Sequence, residues 1–350
     1  MAPPSRPSPP SPPQPSSTAL YRAGRGRGRR GRSWPRRIAL LVTVLVLLAL
    51  ALAVALFFWA GGQLRQMDAL SAYPGRPAAG KGTNWLLVGS DSRRDLTHRQ
   101  QQELHVGHEA VRNTDTVMLL HYGDSGPSLV SLPRDSYVAV PGHGKNKINA
   151  AYGLGGAKLL SRTVEQATGL RVDHYAEVDF LGLVRVVDAL GGVRLCLDAP
   201  LKDEKSGADF PAGCSRMNGT QALAYVRARY SDPKGDLGRV QRQRALISAV
   251  SERMLGPGTL LNPFRTVPAL DAALAALRVD GRTGVVDLTQ MGLSMKQVAK
   301  GSGTATTVPV TGPGTAVAGA GDVLVWDAER ARRLFRALRT DEPIPTSAEK

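Results

Sequence analysis

Charged side chains beside buried apolar runs are costly unless they are paired or at work, and the sequence has four such places. Gly89-Ser90-Asp91-Ser92-Arg93 directly follows the apolar run 85–88, where open α/β sheets hold their ligands. Arg112-Asn113-Thr114-Asp115-Thr116 precedes a second run, and Leu132-Pro133-Arg134-Asp135 ends a third. Arg227-Ala228-Arg229 is followed by Asp236 and then by Arg239 and Gln243. Any one of these is explained equally well by a structural salt bridge. Taken together, the arginines at 112, 134, 227, 229 and 239 beside Asp91 and Asp115 point to recognition of an anion. A guanidinium fork grips two phosphate oxygens at once, whereas lysine is a point charge, so phosphate or pyrophosphate is the ligand class indicated. Asp91 and Asp115 in one pocket suit a hard cation bridging protein and pyrophosphate, for which Mg2+ is the usual choice.

Other chemistries lack their residues. The six histidines (98, 105, 108, 121, 143 and 174) have no cysteine or HExxH partner at zinc-ligand spacing. Gly153-Leu154-Gly155-Gly156 is not followed by Gly-Lys-Ser/Thr, so it reads as a helix kink or turn instead of a P-loop. No Gly-x-Ser-x-Gly nucleophile elbow occurs.

The elements that must position these groups follow from hydrophobic pattern. Runs at 85–88, 116–122 and 128–132 read as buried strands, and 147–168 carries helical spacing that stops at Gly169. Strand 175–178, helix 180–190 closed by Gly191-Gly192, and strand 193–197 come next. Helices are expected over 220–228 and 237–255, the second with an inward stripe through Arg239, Gln243, Leu246 or Ile247, Val250 and Met254. Further on, 269–279, 288–298 and 328–339 read as helices and 306–309 and 322–326 as short strands. The alternation predicts a layered α/β/α domain with a central mixed sheet, one domain over 83–340. A hydrophobic share of 42% with 21% charged residues excludes a disordered or collagen-like chain as a whole.

The formal charge of +16 is uneven: residues 1–37 hold nine arginines and no acid, leaving +7 for the remainder. This Pro/Ser and Arg-Gly segment reads as a disordered basic tail. Residues 38–60, apolar except for Thr43, would span ~34 Å as a helix, enough for a hydrocarbon layer of roughly 30 Å. The run is longer than a signal peptide's apolar region and ends in Phe57-Phe58-Trp59, an interfacial cluster suited to a retained anchor. Arginines crowd its amino-terminal side, so the positive-inside rule predicts a single-pass type II protein in the cell membrane, with everything past residue 60 outside. Residues 61–82 read as a spacer. The tail's arginines are read as an orientation signal and not a nucleic-acid contact, because the Arg-Gly run is short and lacks interleaved aromatics. Outside the cell disulfides persist, so Cys196 and Cys214 are expected to join, two buried thiols being the alternative.

In order along the chain, Gly89-Ser90-Asp91-Ser92-Arg93, Thr114-Asp115-Thr116-Val117-Met118-Leu119, Ser131-Leu132-Pro133-Arg134-Asp135, Lys147-Ile148-Asn149-Ala150-Ala151-Tyr152, Gly191-Gly192-Val193, Tyr225-Val226-Arg227-Ala228-Arg229 and Asp236-Leu237-Gly238-Arg239 with Arg242-Gln243 resemble the successive blocks of the LytR-CpsA-Psr family. The resemblance covers about residues 83–256, and the remainder matches loosely. It implies an extracytoplasmic enzyme that moves a glycopolymer from a polyprenyl-pyrophosphate carrier to peptidoglycan, forming a phosphodiester on a muramic acid hydroxyl. Carried over by residue, it implies Mg2+ on Asp91 and Asp115, pyrophosphate oxygens on Arg134, Arg227, Arg229 and Arg239, and Gln243 beside them. The family's second block has arginine two residues before the aspartate; here Asn113 stands there, with Arg112 one further back. Asp91 and Asp135 are the candidates for the general base. Helical stretches 180–187 and 222–226 are candidates for an apolar groove that takes the carrier lipid. A non-catalytic binder or scaffold of polyprenyl-linked glycans and a polyprenyl-pyrophosphate hydrolase stand as alternatives. Transcriptional control is disfavoured, since an external domain has no access to DNA and the tail holds no helix-turn-helix.

Overall fold

Successive residues of the central strands point to opposite faces and are apolar on both, which is the pattern of a sheet covered on two sides. The computed structural model describes residues 34–90, 98–99, 114–228, 235–312 and 314–344. Backbone contacts divide the chain into residues 1–55 and 56–350. Within the first unit, the described part is the bulk of α1 (Trp34–Gln63), a helix long and apolar enough to cross a membrane.

The second unit is built on a seven-stranded sheet of order β1-β12-β7-β2-β3-β4-β13: Arg65–Met67, Leu277–Asp280, His174–Asp179, Thr83–Ser90, Thr114–Tyr122, Ser128–Leu132 and Thr304–Thr307. β2 runs parallel to β7 and antiparallel to β3, β3 antiparallel to β4, and β4 parallel to β13, so the sheet is mixed as expected. Leu86, Val88, Val117, Leu119, Val130 and Leu132 face a core closed by α2 (Ile148–Thr168) and α9 (Ala328–Thr340). Their neighbours Trp85, Met118, Leu120 and Leu129 face the other side, which is closed by α5 (Gly235–Met254) and α8 (Val285–Ala299). The expected α/β/α layering is the observed one. A smaller core holds α3 (Phe180–Ala189) and α4 (Gly219–Arg227) against the ribbons β8–β11 (Val193–Leu197, Gly213–Met217) and β9–β10 (Leu201–Asp203, Ala208–Phe210).

α2 has a break at Gly155-Gly156, with Gly156 at φ 65°, so the glycine pair serves as a kink. Two elements differ from the sequence reading. The helix expected over 269–279 is α7 (Pro263–Ala276), and Leu277–Asp280 turns extended because its backbone pairs with β7. Residues 65–67, expected within a spacer, instead form the sheet-edge strand β1, and Ala69 after them is buried. The polar stretch after β8 folds into ribbon strands, tied by the Cys196–Cys214 disulfide between residues in direct cross-strand register.

Candidate functional site

The register of the sheet gathers most of the sequence blocks at one end. Ser90, the last residue of β2, pairs with Thr114 on one side and Asp179 on the other, and Val117 pairs with Leu132. The end of β2, the start of β3, the end of β4 and the start of α3 therefore lie along one rim, about 14 Å from β7 to β4 at normal strand spacing.

Asp115 leads this rim with its carboxylate 2.7 Å from the Arg134 Nη1, and Arg134 Nε reaches Asp135 Oδ2 at 3.3 Å. Asp135 Oδ1 accepts a 2.9 Å contact from Lys147 Nζ. The four side chains alternate in sign and keep 13–25% of their surface exposed, so solvent and ligand reach them. The backbone that carries them is fixed: Asn149 N–H donates to Arg134 C=O (3.2 Å) and Ile148 N–H to Ser136 C=O (2.8 Å), which binds the first turn of α2 to the loop after β4.

At the other side of the rim, Arg227 is the last residue of α4, with its guanidinium 5.3 Å from the Phe180 ring centroid. This is cation–π geometry. α4 starts in a capping box in which Asn218 and Gln221 exchange backbone and side-chain hydrogen bonds (2.9 and 3.0 Å). A glycine is required at 219, because a Cβ there would fall 2.3 Å from the Val184 carbonyl oxygen. α3 is itself capped by Asp179, which accepts from Gly182 N–H at 2.7 Å. Arg242, 8% exposed, donates to the Ala228 carbonyl at 2.6 Å and so ties the end of α4 to α5. Gln243 beside it is buried at 8% exposure.

The structure thus brings Asp115, Arg134 and Arg227 to one end of the sheet, with Gln243 on the helix that braces Arg227's end. Asp91, Arg112 and Arg229, and the side chain of Arg239, lie outside the described residues. The stretches 180–187 and 222–226, expected to offer a groove, contribute Phe180, Val187, Ala222 and Leu223 to the packed smaller core.

Several working residues escaped the sequence reading. Lys147 carries no signal in the sequence beyond being a cation directly before a helix start. Arg244, off the inward stripe, donates from Nε to Ser131 Oγ (3.0 Å) and from Nη2 to Thr306 C=O and Thr307 Oγ1, pinning α5 to β4 and β13. Beneath the rim, Glu177 is 1% exposed and accepts from Tyr152 and Tyr175 hydroxyls, each at 2.7 Å. Burial, then the neighbouring Glu177 charge, pushes the Tyr152 phenol up to about 12, and Tyr175 is raised for the same reasons. Both tyrosines therefore remain proton donors across the physiological range and hold the carboxylate in place.

For a metal, the described rim offers the carboxylate of Asp115, since both oxygens of Asp135 are taken by Arg134 and Lys147 and the other expected ligand, Asp91, lies outside the described residues. Among the described residues no group of three or more His, Cys, Asp or Glu could enclose an ion. Mg2+ is characteristically held by one or two carboxylates, with phosphates and water completing its shell, so a partly exposed carboxylate at Asp115 fits it.

The family model described as the LytR_cpsA_psr family matches residues 63–340. The chain belongs to this family. Probable cell wall biosynthesis protein LcpB of Corynebacterium glutamicum is 44% identical over 283 residues, covering 80% of this chain and 66% of LcpB. The Enterococcus faecalis polyisoprenyl-teichoic acid–peptidoglycan teichoic acid transferase TagU is 39% identical over 43% of this chain and 49% of its own. The chain thus spans less than two thirds of either relative. A LytR-Csp2A-Psr enzyme from Actinomyces oris shares the fold with a TM-score of 0.62 at 21% identity, covering 79% of this chain and 96% of its own. TagT, solved bound to LI-WTA, superposes with a TM-score of 0.55 at 23% identity, covering 78% and 93%. The family match starts at residue 63, which agrees with β1 belonging to the folded domain.

Proposed function

We propose that this chain is a membrane-anchored phosphotransferase that moves a glycopolymer from a polyprenyl-pyrophosphate carrier to peptidoglycan. The observation that carries this reading is the open, sign-alternating row Asp115–Arg134–Asp135–Lys147 at the end of the sheet, with Arg227 held on Phe180 at the same end. The acceptor hydroxyl oxygen bonds to the sugar-linked phosphorus, the bond from that phosphorus to the bridging oxygen breaks, and polyprenyl phosphate departs with the electron pair. The hydroxyl proton passes to a base. Charge on the phosphoryl oxygens is what such a reaction must neutralise, and arginines do this without covalent chemistry. Arg134 and Arg227, with Arg112, Arg229 and Arg239 from the neighbouring segments, bind those oxygens. Asp135 has both oxygens engaged by Arg134 and Lys147, which makes it a positioning residue and not the base. Asp115 and Asp91 would hold Mg2+, which when bound supplies further charge neutralisation at the pyrophosphate.

The names of TagU and TagT support this substrate class, and the arginine-rich side of α1 supports a cytoplasmic tail with the domain outside. The test uses the full chain in lipid vesicles with a polyprenyl-pyrophosphate glycan, Mg2+ and peptidoglycan. Covalent attachment is expected, and it is lost in Asp115→Ala and Arg227→Ala without a change in melting temperature. Unchanged transfer in both variants overturns the assigned site. Release of polyprenyl phosphate with no attachment overturns the transferase in favour of a hydrolase.

A further inference from the structure

We propose that the outer domain rests on the lipid bilayer through a second, peripheral contact made by the exposed apolar residues at the corner of α6 (Pro257–Leu260), α7 and α8. This rests on the reading of α1 as a membrane anchor. Outside α1, the large apolar side chains exposed among the described residues are Leu154, Leu261, Phe264, Val267, Val286, Leu293 and Val325. Five of these seven lie on or beside α7 and α8, whereas Leu154 and Val325 stand on α2 and beside β15 (Gly321–Val323). Leu261 and Phe264 are 82% and 89% exposed, the extreme values of the set.

Their exposure is built into the corner. Pro263 occupies the first turn of α7, Asn262 Oδ1 accepts from Phe264 N–H at 3.1 Å, and Thr266 Oγ1 donates back to the carbonyls of Thr259 (2.5 Å) and Asn262 (3.0 Å). An aromatic side chain held outward at a capped helix start has given up its route into the core. Val267 follows three residues later on the same side of α7, and the exposed Asp271 ends the stripe. α8 is joined to this corner through the end of α5: Lys296 Nζ donates to the Leu255 carbonyl at 2.9 Å.

What covers the face follows from where α1 ends. The Cβ position of Gly61, in the last turn of α1, is 3.9 Å from Val285 Cγ2 at the start of α8. The point at which the apolar span joins the folded unit therefore lies beside the element that carries Val286 and Leu293, so the bilayer that takes the span is the nearest apolar phase. Arg65, Arg265 and Arg282 are exposed near the same elements, which suits anionic headgroups around an interfacial aromatic.

The experiment places one environment-sensitive fluorophore at a time on the full chain. Cys196 and Cys214 are bonded to each other, so an introduced cysteine is the reactive one. Phe264→Cys, Leu293→Cys, Leu154→Cys and, within α1, Val46→Cys are labelled and reconstituted in phosphatidylcholine–phosphatidylglycerol vesicles with or without brominated lipid. All four sites are exposed, so the fold is undisturbed. Loss of fluorescence at 46, 264 and 293, with a blue shift at 264 and 293 and neither change at 154, is the expected result. Quenching at 46 with 264 and 293 as bright as 154 overturns the proposal and leaves the anchor standing. Quenching at 154 equal to that at 264 also overturns it, since the contact would not be confined to this face. No quenching at 46 removes the anchor, and the proposal with it.

Discussion

Two carboxylate clusters stand at opposite ends of the same sheet, and they are built in opposite ways. At the rim, Asp115, Arg134, Asp135 and Lys147 are each 13–25% exposed. At the far end, His121 and Asp341 are 1% and 5% exposed and 220 residues apart. Asp341 accepts from Asp124 N–H (2.6 Å), Ser125 N–H (3.1 Å) and Ser125 Oγ (2.5 Å), while His121 Nδ1 meets Asn84 Oδ1 at 2.9 Å. A Cβ on Gly123 would fall 2.3 Å from Asp341 Oδ2, so the turn closes tightly on the carboxylate. This clasp is saturated by hydrogen bonds, and it locks the end of α9 to the β3–β4 turn. The rim cluster is partly exposed, and on the proposed function its charges exchange one another for a phosphate. Burial and saturation, more than residue type, distinguish the two clusters.

The division makes sharp demands. Arg134→Ala should lower transfer about 10²–10³-fold, the scale of removing one transition-state charge donor, while urea unfolding shifts by less than about 1 kcal/mol because the partly exposed rim adds little stability. Equal damage to folding and transfer would erase the contrast. The Cys196–Cys214 bond spans the ribbon between α3 and α4, which carry Phe180 and Arg227. Cys196→Ser with Cys214→Ser should cost about 3 kcal/mol in the chain-entropy account for a loop of this length, read as a lower denaturation midpoint. An unchanged midpoint would mean the ribbon contributes nothing to that side of the rim.

Asp341→Ala should cost about 1–2 kcal/mol, since partly exposed donors lose a charged acceptor, with transfer per folded molecule unchanged. Loss of activity beyond the unfolded fraction would couple the two ends. The smallest effect is in pH. Burial opposes ionisation of Asp341, but the donors from Ser125 and Asp124 outweigh it and hold the carboxyl down at about 2. A folded value below the unfolded ~3.9 means that the clasp's contribution is present above about pH 4 and is lost as pH falls towards 2. Unfolding followed between pH 5 and 2 should show this decline in the wild type and a shallower one in Asp341→Asn; parallel curves would reassign the acid sensitivity elsewhere.

The layered fold was legible because its strands are apolar on both faces and its main helices carry regular stripes that stop at glycine or proline. Leu277–Asp280 was not, since it continues the apolar pattern of α7 and becomes a strand only by pairing with β7. The rim's arginines were visible as charges at strand ends. Their partners were not: nothing in the spacing says that Arg134 turns to Asp115, that Lys147 closes on Asp135, or that Arg244 leaves the stripe to hold β13.

By itself, then, the sequence determined the apolar span, the α/β class and the family blocks, because each is written in local periodicity or in residue type. Tertiary structure alone decided β1 at the sheet edge, the sharing of Glu177 by two tyrosines, and the His121–Asp341 clasp. These depend on contacts between residues far apart in the chain, whose geometry exists only once the strands are in register.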